Sequence, residues 1–301
     1  MTDQIAIHTD GLTKHYGDLH ALVDLDLDVF AGEVFGYLGP NGAGKTTTIR
    51  LLMDEIRPTA GSASILGLDA RRGSVELRDH IGYVPGDLAM YPNLTGRDTL
   101  TYFANLRGGV DWSNVDELAE RLDADLTKKV GDLSSGNRQK VGVIQAFMNR
   151  PTILIMDEPS SGLDPLIQRE FQQMMREVAA NGGTVFLSSH TLSEVQRVAD
   201  RVGIIRHGRL IALESVATLR AKGLRRVELE FAEPAAAAEF ETIPGVRDLV
   251  VRNHHVAMSY EGSMGTLLAA ATRHHALVDI ATQEADLEEI FLTYYHDEEP
   301  V

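Results

Sequence analysis

The chain has 301 residues, no cysteine and a formal net charge of −16 at pH 7. This length is ample for a large α/β core with a small second domain, and the lack of cysteine excludes disulfides, thiol nucleophiles and thiolate metal sites. No apolar run in the sequence approaches the roughly 18 residues that a membrane-spanning helix needs, so we expect a soluble protein.

Two strands are predicted near the start of the chain. Residues 5–9 and 22–29 alternate apolar and polar side chains, which is typical of an antiparallel pair with one solvated face. Tyr16 lies in a turn-like segment between them, where its ring is suited to stacking on a purine. A half-buried tyrosine at a turn is the alternative interpretation of this residue.

The most informative segment follows the apolar run at residues 34–38 and precedes a predicted helix. It consists of Gly39, Pro40, Asn41, Gly42, Ala43, Gly44, Lys45, Thr46 and Thr47. In this pattern, G-x-x-x-x-G-K-[ST], glycines let backbone N–H groups and a helix N-terminus surround a phosphate. Lys45 would reach the terminal phosphates and the Thr46 hydroxyl would ligate magnesium. The segment therefore predicts a site for MgATP or MgGTP rather than a glycine-rich surface turn.

A mainly helical pattern over residues 87–150 predicts an inserted helical subdomain. Within it, Ser134 and Gly136 stand at the start of a helix whose apolar face includes Val141 and Ile144. A helix N-terminus presents backbone N–H groups to an anion, so this is a second candidate phosphate site. A helix that Ser134 merely caps is the alternative.

Residues 152–156 form a continuous apolar run, typical of a strand buried on both faces in a parallel sheet. Asp157 and Glu158 follow it directly, at the sheet edge where ligands of α/β proteins bind. Asp157 would hold magnesium, directly or through its water, and Glu158 would orient and deprotonate the attacking water. A pair of solvated loop acids is the alternative.

Two later helices begin next to candidate functional residues. Asp164 is predicted to cap the first, and the buried strand at residues 184–188 brings His190 to the same sheet edge. Thr191 and Glu194 form a predicted capping box for the second helix. His190 is suited to bonding a terminal phosphate, and a helix-capping neighbour without a ligand is the alternative.

The composition changes at Gly223. Residues 227–301 contain fifteen Asp or Glu against three Arg, a local balance of −12, which argues against nucleic acid or an anionic lipid surface as the partner of this segment. Their predicted order of elements is βαββαβ, typical of a small ferredoxin-like α+β domain, and a last helix includes Leu287 and Phe291. We therefore expect two domains, residues 1–222 and residues 223–301.

These motifs occur in the order found in ATP-binding cassette ATPases, and residues 5–222 strongly resemble the nucleotide-binding subunit of a bacterial ABC transporter. The resemblance implies an α/β P-loop NTPase core with an antiparallel β subdomain and the inserted helical subdomain. It also implies functions for six segments: Tyr16 stacks on adenine, residues 39–47 form the Walker A loop, residues 133–137 the signature, residues 153–158 Walker B, residues 161–164 the D-loop, and His190 is the switch histidine. The C-terminal domain is similar to the accessory domain of drug-efflux ATPases.

The resemblance further implies ATP and Mg²⁺ as ligands and a head-to-tail pair of subunits. Each ATP would lie between the Walker A loop of one copy and Ser134 and Gly136 of the other, with Asp164 of the D-loop at the nucleotide. A separate transmembrane permease would form the path for export of a drug-like or hydrophobic compound, which implies a cytoplasmic protein on the inner face of the membrane. The alternative is a soluble clamp acting on ribosomes or nucleic acid, which should show a basic stripe.

Two positions depart from the family pattern. The usual signature Leu-Ser-Gly-Gly-Gln is Leu-Ser-Ser-Gly-Asn at residues 133–137. The family also has a glutamine after a strand like that at residues 81–84, where this chain has Gly86 and then Asp87. Either Asp87 or an ordered water takes the place of the glutamine amide at magnesium, and we favour water because Asp87 would point to the opposite face of an extended segment.

Overall fold

The structure is a computed structural model that describes residues 4–222, 225–273 and 275–283. These residues form two compact units, of which the first ends at Leu213 and the second begins at Glu214. The change in composition at Gly223 predicts a boundary after residue 222 instead. Helix Val216–Lys222 therefore belongs by its contacts to the second unit, whereas the independence of residues 223–301 stays a prediction.

Strands and helices alternate along the first part of the chain. The strands are β1 (Ile5–Tyr16), β2 (Leu19–Phe30), β3 (Val34–Leu38), β4 (Ala60–Ile65), β5 (Leu68–Asp69), β6 (Ile81–Val84), β7 (Ile153–Asp157), β8 (Thr184–Ser189), β9 (Arg201–Arg206) and β10 (Arg209–Ser215). The helices are α1 (Lys45–Leu52), α2 (Ser74–His80), α3 (Gly96–Leu106), α4 (Trp112–Arg121), α5 (Ser135–Phe147), α6 (Pro165–Ala180) and α7 (Leu192–Val198), with a 3₁₀ turn at Val130–Asp132. In the described ranges no helix combines the length and apolar composition needed to cross a membrane.

An antiparallel sheet with the order β2-β1-β4-β5 opens the chain. Strands β1 and β2 pair antiparallel, as their alternating sequence predicts, and each is twelve residues long. Ile7, Leu25 and Ile65 of this sheet are fully buried in a core that they share with the phosphate-loop helix α1. This sheet is the expected antiparallel β subdomain.

The central sheet has the order β10-β9-β3-β8-β7-β6, and the pairs from β9 to β6 are parallel. Every residue of β3, β7 and β8 is buried, as their continuous apolar runs predict. In this register Leu38 lies beside Ser189, and Asp157 lies beside Ser188. The carboxyl ends of three strands therefore meet at one edge, where the candidate site lies.

The expected helical insertion comprises α3, α4 and α5. Thr95 and Asp98 form a capping box at the start of α3. Arg121 of α4 donates to Glu170 at 2.5 Å and to both carboxylate oxygens of Glu177 at 2.7 and 3.0 Å. The hydrogen bonds that Arg121 donates to Glu177 raise the pKa of its guanidinium, and these ion pairs connect the insertion to helix α6.

The second unit contains a separate antiparallel sheet with the order β12-β13-β11-β14. Its elements are α8 (Val216–Lys222), β11 (Arg225–Phe231), α9 (Ala237–Glu241), β12 (Val246–Arg252), β13 (His255–Tyr260), α10 (Met264–Ala271) and β14 (Leu277–Gln283). From β11 onward the order of elements is βαββαβ, and the strand order is that of a ferredoxin-like fold, which confirms the prediction. The predicted last helix, with Leu287 and Phe291, lies outside the described residues.

We expect a chain truncated after Lys222 to stay soluble and to bind ATP, because all predicted nucleotide contacts lie in the first unit. ATP binding is measured by calorimetry and phosphate release by a coupled assay, with the full chain as the control. A truncated chain that folds but no longer binds ATP would show that the boundary or the independence of the acidic domain is wrong.

Candidate nucleotide-binding site

The phosphate loop connects the buried strand β3 to helix α1. Gly44 precedes the helix with φ 113°, a conformation that side chains with a Cβ rarely adopt, and a Cβ there would lie 2.6 Å from the carbonyl of Ala21. The helix receives no side-chain cap at this residue. The N–H groups of its first turn, which have no partners within a helix, are thus left for an anion. This backbone geometry fits the predicted anion site, which stays a prediction.

Lys45 is the first residue of α1 and is only 5% exposed. Its ammonium donates to the carbonyl of Gly39 at 2.6 Å and to that of Pro40 at 3.3 Å, and lies 3.2 Å from Glu158 Oε1. Each of its three N–H donors thus has an oxygen nearby. The cation is in this way fixed within the loop and beside the carboxylate at the end of β7.

Asp157 connects two neighbouring strands with the phosphate-loop helix. The Thr46 hydroxyl donates to Asp157 Oδ2 at 2.6 Å, and the Ser188 hydroxyl donates to Oδ1. The carboxylate residue is 2% exposed. Carboxylate and hydroxyl oxygens are ligands that suit Mg²⁺, and these two are already adjacent. The donor set therefore fits the metal that the sequence predicts.

Glu158 and His190 meet at the same edge. Glu158 Oε2 lies 2.8 Å from His190 Nδ1, and the Glu158 backbone N–H donates to the Ser188 hydroxyl at 3.1 Å. The other oxygen, Oε1, is buried and accepts no hydrogen bond from the described residues, although Lys45 approaches it. Burying an acceptor without a well-aligned donor costs free energy. This oxygen is therefore suited to accept a hydrogen bond, and then a proton, from a bound water.

The two predicted caps of the signature and the D-loop are present. The Ser134 hydroxyl accepts from Asn137 N at 3.2 Å, and Asp164 Oδ1 accepts from two backbone N–H groups of α6 at 3.1 Å. A Cβ on Gly136 would lie 2.3 Å from the carbonyl of Gly162, so the signature packs directly against the D-loop. Among the described contacts, neither Ser134 nor Gly136 reaches the phosphate loop of its own chain.

Tyr16 ends strand β1 and pairs with Leu19. Tyr16 is 45% exposed, and the ammonium of Lys14 lies 4.9 Å from the centroid of its ring. Two residues further along β2, the carbonyl of Ala21 approaches Gly44 of the phosphate loop. The exposed Tyr16 therefore lies on the strand that pairs with β2, the strand that borders the loop, and its stacking on a purine stays a prediction.

Gly86 lies against the predicted magnesium ligand. A Cβ on Gly86 would approach within 2.8 Å of Asp157 Oδ2, whereas Asp87 is exposed and no described contact joins its side chain to Asp157. Tyr83, on the strand before it, has its pKa raised by burial and by the nearby charges of Glu55 and Asp157. Where the family has a glutamine, this chain therefore has a glycine that lies against Asp157. The Tyr83 hydroxyl nearby keeps its proton.

The sequence pattern does not indicate Ser188 as a site residue, and it predicts the wrong contact for Glu194. Ser188 contacts both Asp157 and Glu158, and the only signal in the sequence is its hydroxyl at the end of a mostly apolar strand. The predicted capping box of Thr191 and Glu194 is wrong, because Thr191 makes no side-chain cap and Glu194 accepts instead from Ser160 at 2.7 Å. The Glu194 carboxylate thus binds the hydroxyl of Ser160, which is distant in sequence, instead of a group at the start of its own helix.

A glycine loop between a strand and a helix, with a lysine and two strand-end carboxylates beside it, defines a P-loop nucleoside triphosphatase. The sequence profile of the ABC transporter family matches residues 22–161. The chain is 31% identical to the bacitracin transport ATP-binding protein of Enterococcus faecalis over 97% of this chain and 96% of that protein. It is 34% identical to a daunorubicin resistance ATP-binding protein of Streptomyces coeruleorubidus, over 98% of each chain.

A solved structure of the ATP-binding subunit of an ABC transporter matches with a TM-score of 0.65 and 30% identity, over 71% of this chain and 92% of that chain. The chain therefore belongs to the ABC transporter family, as one of its ATP-binding subunits. It is an ABC-type ATPase, which confirms the fold and the enzyme class that the sequence motifs predict.

We expect Asp87→Ala to leave ATP hydrolysis by the isolated subunit within about threefold of the wild type, because the carboxylate is not at the metal site. Gly86→Ala is the matched variant, since its new methyl would press on Asp157 and should weaken the magnesium dependence. Phosphate release is measured across a magnesium titration. If Asp87→Ala hydrolysed ATP a hundredfold more slowly and depended less on magnesium, then Asp87, and not a water, would take the place of the glutamine at the metal.

Proposed function

We propose that this subunit hydrolyses ATP to power the export of a drug-like or hydrophobic compound through a separate transmembrane permease. The observation that carries the proposal is the assembly of Lys45, Asp157, Glu158 and His190 at one sheet edge. Its support comes from relatives named for bacitracin transport and daunorubicin resistance, which match over nearly their whole lengths. The compound itself would be recognised by the permease.

ATP binding is assigned to residues 39–47 and Tyr16. The N–H groups of the loop and of the first turn of α1 surround the phosphates, and Lys45 exchanges one of its present acceptors for a phosphate oxygen. The ring of Tyr16 stacks on adenine from the neighbouring strand. These residues bind and orient ATP, whereas the carboxylates of Asp157 and Glu158 take part in the hydrolysis itself.

Magnesium would be held by Thr46 and Asp157, whose oxygens lie 2.6 Å apart. When bound, the ion neutralises charge on the β- and γ-phosphates. Ser188 fixes the orientation of Asp157 through its second oxygen. Thr46 would give up its hydrogen bond to Asp157 so that both oxygens face the ion.

Glu158 is the proposed general base. Its carboxylate takes a proton from the attacking water, and His190 would contact the γ-phosphate from the adjacent strand end. The hydrogen bond between Glu158 and His190 fixes the carboxylate before a ligand binds. Lys45 stabilises the developing negative charge on the phosphate.

A second copy of the chain is the proposed partner across the nucleotide. Ser134 and Gly136 lie at the N-terminus of the thirteen-residue helix α5, whose first-turn N–H groups suit a phosphate. They do not reach the phosphate loop of their own chain in the described contacts, so we assign them, with Asp164, to the site of the other copy. Two ATP molecules would then join two subunits head to tail.

A groove of about 560 Å³ next to Gly86 is the proposed contact for the permease. Its lining is largely apolar and includes Met53, Val75, Tyr83 and Leu106, of which Val75 and Leu106 are 77% and 68% exposed. Exposed apolar patches on a soluble domain indicate interaction sites. A permease bound in this groove would lie next to Gly86 and hence to Asp157, and would hold the subunit at the inner face of the membrane.

Affinity purification of a tagged chain from its native membranes tests the assignment. We expect a protein rich in membrane-spanning segments to co-purify and to stimulate ATP hydrolysis. Recovery of ribosomes or nucleic acid in its place would favour the soluble clamp.

The same purification tests the groove. Val75→Asp, in the groove, should weaken recovery of the permease, whereas Ser193→Ala, an exposed substitution outside the groove, should not.

We expect Glu158→Gln to bind ATP normally and to hydrolyse it at least about a hundredfold more slowly, because a general base commonly contributes about 10²–10⁴. The variant should accumulate as an ATP-bound dimer, detected by size-exclusion chromatography with light scattering. Lys45→Ala is the contrasting control and should lose ATP binding itself. Near-normal turnover of Glu158→Gln would assign the base to another residue.

A further inference from the structure

Glu194, on helix α7, accepts hydrogen bonds from the two loops that carry Glu158 and His190. Its Oε2 accepts from the Ser160 hydroxyl at 2.7 Å and lies 3.1 Å from the Ser189 hydroxyl. Ser160 is two residues after Glu158, and Ser189 directly precedes His190. One carboxylate oxygen thus connects the two segments whose side chains meet in the site.

The backbone of Glu158 needs such support. It has φ 50°, in the left-handed region that residues other than glycine adopt only where the surrounding structure imposes it. Upstream, its N–H is bound by Ser188. Downstream, the carbonyl of Pro159 accepts from Gln139 at 2.8 Å, and Ser160 is bound by Glu194. The Ser160 carbonyl also accepts from Gln168 at 3.4 Å, and among these downstream side-chain contacts that from Glu194 also extends to the histidine loop.

The chemistry of the contact favours a carboxylate at this position. The Ser189 hydroxyl already accepts from Thr191 N at 2.9 Å, so its proton is available to donate, and the Glu194 oxygen is nearer than the carbonyl of Thr191, 3.1 against 3.3 Å. Ser189 is 1% exposed. Hydrogen bonds to an ionised acceptor are roughly twice as strong as neutral ones, and partial burial reduces competition from water.

From these contacts we propose that Glu194 is a positioning residue for hydrolysis, which fixes Glu158 against His190 without contacting ATP. The inference rests on the proposed function of Glu158 as the general base. When Glu194 is lost, the segment at Ser160 relaxes, Glu158 leaves its left-handed conformation, and its carboxylate moves away from the attacking water. Lys45 and Thr46 are anchored by other contacts, so nucleotide binding is unaffected.

The test is Glu194→Ala in the full chain, with kcat and the ATP dissociation constant measured separately. We expect kcat to fall about ten- to a hundredfold, since misplacing a reacting group by about 1 Å can cost a hundredfold, while the dissociation constant changes less than about twofold. Glu194→Gln keeps an oxygen acceptor at the same reach and should restore most of kcat. Ser193→Ala, the exposed neighbour on the same helix, should behave as the wild type.

A double-mutant cycle separates positioning from helix stability. If the loss of kcat is transmitted through the Ser160 contact, the single variant Ser160→Ala should lower kcat. The same substitution should lower it little further in the Glu194→Ala background. Additive losses, an unchanged kcat in Glu194→Ala, or an equal loss of ATP binding would each overturn the inference. Near-normal turnover of Glu158→Gln would instead refute the proposed base, so the two failures are distinguishable.

Discussion

The parallel register of β3, β7 and β8 is the constraint on which the site depends. Leu38 lies beside Ser189, and Asp157 beside Ser188, so three strands end at one level. Because each strand delivers a different loop there, residues distant in sequence become hydrogen-bonding neighbours, such as the Gly39 N–H and the Ser189 carbonyl at 3.3 Å. A change of one residue in this register would turn the side chains to the opposite face of the sheet. Burial of all three strands fixes the register.

The electrostatic balance around Lys45 follows from that geometry. Lys45 is nearly buried, and a buried ammonium is stable only when acceptors replace its water. The carbonyls of Gly39 and Pro40 supply them, and the carboxylate of Glu158 adds a neighbouring negative charge. In the proposed function, a phosphate would therefore replace one of these acceptors at little desolvation cost and would leave Glu158 free to act on a water.

Gly86 changes how a partner could influence this site. The position has no side chain to contact the metal, and its backbone lies against Asp157 directly. Tyr83 lines the adjoining groove and keeps its proton because burial and the charges of Glu55 and Asp157 raise its pKa. Contact with the groove would thus act on Asp157 through neighbouring backbone and a neutral hydroxyl rather than through an amide.

The sequence by itself determined the features that depend on consecutive residues. The loop around Lys45, the cap at Asp164 and the apolar strand before Asp157 are local, so their patterns predicted them, and strand order in the ferredoxin-like unit followed from its βαββαβ pattern. Only the tertiary structure decided that Ser188 bonds Asp157, that Glu194 bonds Ser160 rather than capping at Thr191, and that Gly86 touches Asp157. A hydrogen-bonding side chain takes the best acceptor or donor within reach, and which groups lie within reach is set by the packing of distant segments.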